Sequence, residues 1–274
     1  MKIDSIEELK NKARNVRISI IEQVYAAKSG HPGGALSCAD ILTALYFNQM
    51  NINPKDPNAK QRDRFVLSKG HASPALYATL AECNYFDKKE LKHFRNIDSK
   101  LQGHPDMNKV IGVDATTGSL GQGLSIANGM ALNSKINREG YRVYCLLGDG
   151  ELEEGQIWEA AMTASHYKLD NLCVIVDNNN LQIDGEIEKV AGLNKIEEKF
   201  KSFGFETLII DGHNFKDILE ALKIARKTKE KPTAIIAKTI KGKGVSFMEN
   251  QVSWHGKAPN EEQYKQAIKE LSII

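Results

Sequence analysis

Two hydrophobic patterns alternate along the chain: runs with helical spacing, and short runs that are almost continuously apolar. The spacing over residues 5–29 predicts a helix, whose first turn has Ser5 and Glu8 at the positions of a capping box. The short apolar runs predict strands that are buried on both faces. These strands are predicted at residues 64–67, 142–147, 172–176, 206–210 and 233–238.

Helical patterns fill most of the intervals between these strands. They predict helices at residues 38–48, from near His71, and at 121–136, 154–167, 194–203, 215–229 and 260–271. Strands that alternate with helices in this way form a parallel sheet with helices on both faces. The predicted fold class is therefore α/β, in one domain over residues 1–274 with a helical N-terminal segment of about residues 1–60.

Three segments rich in Gly, Pro or polar residues are predicted to be loops. The first, residues 31–34 (His-Pro-Gly-Gly), follows the first helix. The second covers residues 51–63, and the third covers residues 240–259. Because a loop as long as the third is uncommon inside a compact domain, we expect it to contribute to function.

Composition argues against several classes of function. Lys and Arg number 37 against 35 Asp and Glu, a net charge of +2, which gives no support to nucleic-acid binding. The four cysteines lie far apart and include no C-x-x-C pair, so a disulfide framework or a zinc site is not indicated and a reducing cytoplasm is expected. No signal-peptide pattern follows Met1, and no apolar stretch approaches the ~20 residues that span a membrane.

Two polar clusters follow consecutive predicted strands. One is Gly148-Asp149-Gly150, and the other is the Asp-Asn-Asn-Asn segment 177–180. Ligands of such sheets bind beyond the carboxyl ends of the strands. A carboxylate from Asp149 and an amide oxygen from Asn179 suit Mg²⁺, which proteins often hold with one or two oxygens plus substrate phosphates. Taken singly, each cluster is more typical of a turn or a loop cap.

Together the clusters resemble a known motif. Gly148-Asp149-Gly150 and Asn179, 30 residues after the aspartate, are similar to the thiamine diphosphate-binding motif. Other segments, in family order over residues 29–256, narrow the resemblance to the transketolases and imply their thiamine diphosphate-binding fold. These segments are Ser29-Gly30-His31-Pro32-Gly33, Leu67-Ser68-Lys69-Gly70-His71, Gly103-His104-Pro105, Thr117-Gly118-Ser119-Leu120-Gly121-Gln122-Gly123, Glu153-Glu154-Gly155-Gln156-Ile157-Trp158-Glu159-Ala160, Ile183-Asp184-Gly185 and Trp254-His255-Gly256.

The resemblance implies which residues bind the cofactor and its metal. Asp149, Asn179 and the backbone carbonyl of Leu181 would ligate Mg²⁺, or Ca²⁺ or Mn²⁺ in its place. The residues that would contact thiamine diphosphate are His71, Gly118, Ser119, Leu120, Gly150, Asn179, Lys241 and His255. Ser119 stands where many family members have proline. We expect residues 181–193 and 240–256 to be the most mobile loops without cofactor.

The catalytic residues are likewise implied by the resemblance. Transketolases move a two-carbon ketol unit from a ketose phosphate to an aldose phosphate; the donor loses a hydroxyl proton, and the acceptor regains one. Imidazole titrates near neutrality and serves both steps. His31 and His255 would handle these protons, while His104 would hold the C1 hydroxyl. Glu154 would lie in a carboxylate network at a subunit interface. The histidines that receive no role are His93, His166 and His213.

The resemblance also implies a protein partner. Family transketolases continue into a second domain that supplies the glutamate hydrogen-bonded to the aminopyrimidine ring, and the arginines for the sugar phosphate lie downstream as well. Neither has a counterpart in these 274 residues. We therefore expect a separate C-terminal subunit, with a dimer of this chain inside a heterotetramer, and little activity for this chain alone.

Several alternatives stay open. The chain could belong to another split thiamine enzyme that acts on an unusual ketose or on dihydroxyacetone. It could be the α-subunit of a 2-oxo-acid dehydrogenase, although the histidine pattern does not favour this, or a non-catalytic cofactor-binding partner. At single positions, Glu154 could serve the helix dipole and Lys241 could belong to a solvated loop.

Overall fold

The apolar runs of the sequence form a central parallel sheet. The structure, a computed structural model, describes residues 2–273, and within them five strands pair in the order β1-β2-β3-β5-β4. All neighbouring strands are parallel. The strands are β1 (Arg64–Leu67), β2 (Val143–Gly148), β3 (Leu172–Asn178), β4 (Glu206–Asp211) and β5 (Thr233–Lys238).

Helices connect the strands and cover the sheet. In the described part of the chain they are α1 (Ile6–Ala27), α2 (Pro32–Ser37), α3 (Ala39–Ala44), α4 (Ser73–Glu82), α5 (Gln122–Ile136), α6 (Gly155–His166), α7 (Ile187–Ala191), α8 (Ile196–Ser202), α9 (Phe215–Lys227) and α10 (Glu261–Leu271). Short 3-10 turns lie at Gly70–Ala72, Lys88–His93, Gly150–Glu153 and Val252–Trp254, and a π-helical turn lies at Leu45–Gln49. No described helix is both long and apolar enough to cross a membrane.

Alternate residues of β1, β2, β3 and β5 pack into two separate cores, whereas the edge strand β4 is only partly buried. On β3, Cys173 and Ile175 face the core formed with α1, α3, α4, α9 and α10. Val174 and Val176 face the core formed with α5, α6 and α8. Every residue of β3 is buried, as expected for a strand covered on both faces. The predicted α/β fold with helices on both faces of a parallel sheet is confirmed.

The helix predicted at 38–48 corresponds to α3 and the π-helical turn after it, which lie within residues 39–49, but the loop predicted at 31–34 was wrong. α2 already begins at Pro32, and α3 ends at Ala44 before the π-helical turn. Proline favours the first position of a helix because its φ is fixed near the helical value. The following Gly33 reflects close packing rather than a loop, since a Cβ there would lie 2.8 Å from the carbonyl oxygen of Trp254.

The other predicted loops differ less from the structure. Residues 51–63 contain only turns and irregular chain, as predicted. The segment 181–193 contains a β-bridge between Leu181 and Glu186, followed by α7. The segment 240–259 is irregular except for its single 3-10 turn.

The sheet topology determines where the polar clusters lie. β2 and β3 are direct neighbours, and Gly148 pairs with Asp177 in the last register position of the two strands. Residues that follow these two strands therefore emerge side by side at the carboxyl edge of the sheet. This is the adjacency that the sequence predicted for Asp149 and Asn179.

Candidate active site

A cavity of about 270 Å³ opens at this edge of the sheet. It lies between the ends of β1, β2 and β3 and the loop that follows β5. The predicted site residues that line it are His71, Leu120, Asp149, Gly150, Glu154, Asn179, Leu181, Lys241 and His255. The fold thus brings together most of the residues that the sequence singled out.

Asp149 is buried at the floor of the cavity, where its carboxylate accepts three hydrogen bonds. One oxygen accepts from the Gly150 backbone N–H at 2.9 Å. The other accepts from the side-chain amide of Asn178 at 3.1 Å and from the backbone N–H of Asn180. Burial and the nearby carboxylate of Asp177 raise the pKa of Asp149 to about 6. A bound cation would offset this cost of burying the charge.

The oxygen atoms around Asp149 fit a hard divalent cation. Asn179 and Leu181 line the same cavity, and the side-chain oxygen of Asn179 accepts from the Leu181 N–H at 3.2 Å. Among the described residues no cluster of three His, Cys, Asp or Glu side chains could hold a metal. One carboxylate, one amide and one carbonyl suit Mg²⁺ or Ca²⁺ only if a ligand such as a diphosphate completes the coordination.

A buried ion pair lies behind Asp149. Lys69 follows β1 and donates hydrogen bonds to the carboxylate of Asp177 and, at 2.9 Å, to the carbonyl of Gly34. Asp177 is fully buried and also accepts from the hydroxyls of Ser37 and Thr239. Burial opposes ionisation of Asp177, but Lys69 keeps its pKa below the ordinary value.

Lys241 reaches into the cavity from the loop after β5. Its ammonium donates to the Leu181 carbonyl at 3.0 Å and contacts Nδ1 of His255 at 2.9 Å. Lys241 is only 2% exposed, so the reading as a solvated surface residue is wrong. Burial and the positive charge of Lys69 lower its pKa to about 8. A buried, partly uncompensated cation at this position would attract an anion.

Three of the predicted histidines form a cluster at the cavity. The rings of His31, His71 and His255 lie with centroids 5.2–5.4 Å apart. Burial, together with nearby cations, lowers the pKa of His31 to about 4 and that of His255 to about 3, and it also depresses the pKa of His71. All three are therefore neutral at pH 7. Nδ1 of His31 is buried without a partner among residues 2–273.

The histidine cluster makes stability depend on pH. Because His31 and His255 have lower pKa values when folded than when unfolded, the unfolded chain binds more protons below pH 6.5. We expect the free energy of unfolding to fall as pH decreases from 6.5 towards 4, by about 1 kcal/mol per histidine at pH 5 once solvent screening is included. Urea denaturation at pH 7 and pH 5 measures this. The double variant H31Q/H255Q should show a smaller decrease, and an unchanged decrease would contradict the assignment.

The remaining predicted residues lie beside the cavity rather than in its wall. His104 is exposed, and its ring lies against Gly118, where a Cβ would come within 3.1 Å of the imidazole. The backbone carbonyl of His104 accepts from the hydroxyl of Tyr77 at 3.1 Å. Burial and the nearby Arg95 lower the pKa of His104. Ser119 is exposed next to Gly118.

The two glutamates after β2 have different environments. Glu154 is exposed and precedes α6, with its side chain against Gly121. Glu151 is 2% exposed and accepts from the Ser68 hydroxyl and from the backbone N–H groups of Gly121 and Gly148. The carboxylate of Glu151 therefore links the segment before α5 to the ends of β1 and β2 through hydrogen bonds.

Sequence reasoning missed Lys69, which lies in a segment that it singled out, and Glu151, which lies between two such segments. Lys69 directly follows an apolar strand, next to His71. Glu151 begins the acidic run that ends at Glu154. In each case the sequence signal was a charged residue just after a predicted strand. Only the fold shows that each of these side chains is buried against its hydrogen-bond partners.

Comparisons with known proteins point to one family. The model of the family "Transketolase, thiamine diphosphate binding domain" matches residues 9–273. An apulose-4-phosphate transketolase subunit of Phocaeicola vulgatus is 43% identical over 97% of this chain and 95% of its own length. The 6-deoxy-6-sulfo-D-fructose transketolase subunit SqwG of a Clostridium species is 43% identical over 96% of both chains.

Longer transketolases match the chain over part of their length. Human transketolase is 45% identical over 97% of this chain and 42% of its own length. The crystal structure of the Campylobacter jejuni transketolase superposes with a TM-score of 0.92 at 39% identity, covering 98% of this chain and 43% of that one. The recognition drawn from the motifs is thereby confirmed: this chain belongs to the transketolase family and carries that family's thiamine diphosphate-binding domain.

Proposed function

We propose that this chain is the N-terminal subunit of a two-subunit transketolase that transfers a two-carbon ketol unit from a ketose phosphate to an aldose phosphate. The observation that carries the proposal is one cavity shared by Asp149, Asn179, Lys241 and the carbonyl of Leu181, with neutral histidines beside it. A metal site alone would fit many enzymes. Neutral imidazoles next to an anion-attracting lysine fit proton transfer to and from sugar hydroxyls.

The proposed cofactor arrangement follows from the donor set. Asp149, Asn179 and the Leu181 carbonyl would hold Mg²⁺, or Ca²⁺ or Mn²⁺, together with the diphosphate. Lys241 and the backbone of Gly150 would bind the diphosphate oxygens. His71 and Leu120 line the same cavity and would contact the rest of the cofactor with Gly118 and Ser119 next to them. When bound, thiamine diphosphate supplies the carbon nucleophile that carries the two-carbon unit.

Two histidines would divide the proton transfers between them. Because Lys241 donates to Nδ1 of His255, the neutral ring of His255 carries its own proton on Nε2. It would donate this proton to the aldehyde oxygen of the acceptor sugar. The neutral ring of His31 would accept the proton of the donor hydroxyl. His104 would orient the C1 hydroxyl. Glu154 is exposed, and its proposed position is at a subunit interface.

The partner would be a separate C-terminal subunit that supplies the pyrimidine-binding domain. Support comes from two relatives, named as subunits, that this chain matches over 95% and 96% of their lengths. The proposed assembly is a heterotetramer containing a dimer of this chain, and its expected location is the cytoplasm, where its four buried free cysteines would stay reduced. A glutamate from the partner would contact the aminopyrimidine ring.

We expect the purified chain to bind thiamine diphosphate with Mg²⁺ weakly and to show little or no ketol transfer alone. Addition of the proposed C-terminal subunit should increase activity by about 100-fold or more, since the activating carboxylate would lie there. Calorimetry measures the binding, and a coupled assay measures transfer from a ketose phosphate. Robust turnover by the single chain would contradict the partner requirement. Absence of cofactor binding, both alone and with the partner, would favour a non-catalytic role.

A second candidate substrate class is a non-standard ketose. The two subunit-type relatives are named for apulose-4-phosphate and for 6-deoxy-6-sulfo-D-fructose, each at 43% identity. The histidines of this chain would contact the ketol group, which all such donors have in common. We therefore propose testing such donors in parallel with those of the pentose phosphate pathway.

A further inference from the structure

A second polar cluster lies outside the cofactor cavity, between α1, α3 and the segment that joins β4 to α9. Arg17 on α1 forms a two-pronged ion pair with Asp40 on α3, with nitrogen–oxygen distances of 2.8 and 2.6 Å. Nδ1 of His213 lies 2.8 Å from the same carboxylate. Arg17 and Asp40 are buried, so their positions are held by packing as well as by charge.

The second nitrogen of His213 contacts the loop that follows β5. The backbone N–H of Ile240 donates to Nε2 of His213 at 2.9 Å. A backbone N–H can only donate, so Nε2 carries no proton and Nδ1 donates to Asp40. Burial alone would raise the pKa of Asp40, but Arg17 and His213 hold it at about 2, so the carboxylate is charged and accepts this bond.

Ile240 directly precedes Lys241, and the residue after Lys241 is also fixed. The N–H of Gly242 donates to the carbonyl of Gly33 on α2 at 2.9 Å. Backbone hydrogen bonds to two different elements therefore bracket Lys241 and determine where its side chain enters the cavity. One of these bonds depends on a side chain, that of His213.

We propose that His213 is a positioning residue for thiamine diphosphate binding, which fixes the backbone at Ile240 so that the ammonium of Lys241 lies ready in the cavity. The inference rests on the proposed function, since it assumes that Lys241 binds the diphosphate. A residue needed only for packing would not have to accept a hydrogen bond at Nε2. The experiment should therefore test whether binding requires a hydrogen-bond acceptor at the position of Nε2.

Two amide variants separate the two contacts of His213. In His213→Gln the amide oxygen can reach the position of Nε2 and keep the bond to Ile240. In His213→Asn the shorter amide can keep only the contact to Asp40. We expect H213N to bind thiamine diphosphate with Mg²⁺ roughly five- to tenfold more weakly than the unmodified chain, the effect of one lost hydrogen bond, and H213Q to stay within about twofold.

Two measurements on the full chain decide the matter. The first is a titration with thiamine diphosphate and Mg²⁺ that is monitored by tryptophan fluorescence, since Trp254 lies in the same loop as Lys241. Amide hydrogen exchange without cofactor should be faster at residues 240–242 in H213N but not in H213Q. Equal affinity and equal exchange in H213N and the unmodified chain would overturn the proposal, as would equal losses in both variants.

Failure of the proposed function would be seen separately. If the unmodified chain does not bind thiamine diphosphate at all, alone or with its partner, the function is wrong. The exchange experiment does not use the cofactor. It would then still support or overturn the fixing of Ile240 by His213.

Discussion

Asp149→Asn should reduce the affinity for thiamine diphosphate in the presence of Mg²⁺ by about 100-fold or more, because loss of a direct metal ligand should exceed the 10–100-fold effect typical of residues that only orient ligands. The same change should leave the cofactor-free protein folded, because the amide loses acceptor contacts to one of the two oxygens but also removes a buried charge. Burial and Asp177 raise the pKa of Asp149 to about 6, so its charge is a cost to the fold at pH 7. Calorimetric titration and urea denaturation of the same sample would measure both effects.

A matched control is Asp184→Asn, which removes a carboxylate from the exposed part of the loop after β3. D184N should bind the cofactor like the unmodified protein. If D149N kept its affinity, or if D184N lost as much, the assignment of the metal to Asp149 would be wrong. A large loss of stability in D149N would show instead that its hydrogen bonds to residues 178 and 180 hold the fold.

Lys69→Met should destabilise the protein by about 3–5 kcal/mol, as expected when one partner of a buried ion pair is removed. Asp177 is fully buried and lies near Asp149, so without Lys69 the carboxylate of Asp177 would lose the cation that is hydrogen-bonded to it. Methionine has nearly the length of lysine and should fill the same space. The free energy of unfolding from urea denaturation at pH 7 measures the effect.

The double variant K69M/D177N provides the control for this prediction. Neutralising Asp177 should recover part of the loss, since the uncompensated charge is then gone, and the two changes should be strongly non-additive. A loss below about 1 kcal/mol in K69M would show that Asp177 takes up a proton or water at little cost. Additive losses would mean that the two residues act independently.

The sequence predicted the sheet well because most of its strands are buried on both faces, the edge strand β4 being the exception. Such strands appear as continuous apolar runs, and their boundaries differ from the structure by only one or two residues, as for β2 at Val143–Gly148. It predicted α2 poorly because proline and glycine are typical of both loops and helix starts. Packing against Trp254, a contact more than 200 residues away, decided between the two.

For the candidate site, the sequence by itself determined the residue types and their places at strand ends. Parallel strands have their carboxyl ends on one edge, so Asp149 and Asn179 had to emerge near each other once β2 and β3 were neighbours. The ordered histidine motifs then indicated the family. These conclusions depend on local pattern and on topology, both of which a sequence carries.

Only the tertiary structure decided which charges are buried together. The partner of Lys69 is 108 residues away, and that of His213 is 173 residues away on α3. Burial lowers the pKa of His31 and leaves its Nδ1 without a partner in the described chain. The physical reason is that burial and charge pairing arise from contacts between distant segments. The motifs determined which residues could perform the chemistry, and the fold determined their charge and their orientation.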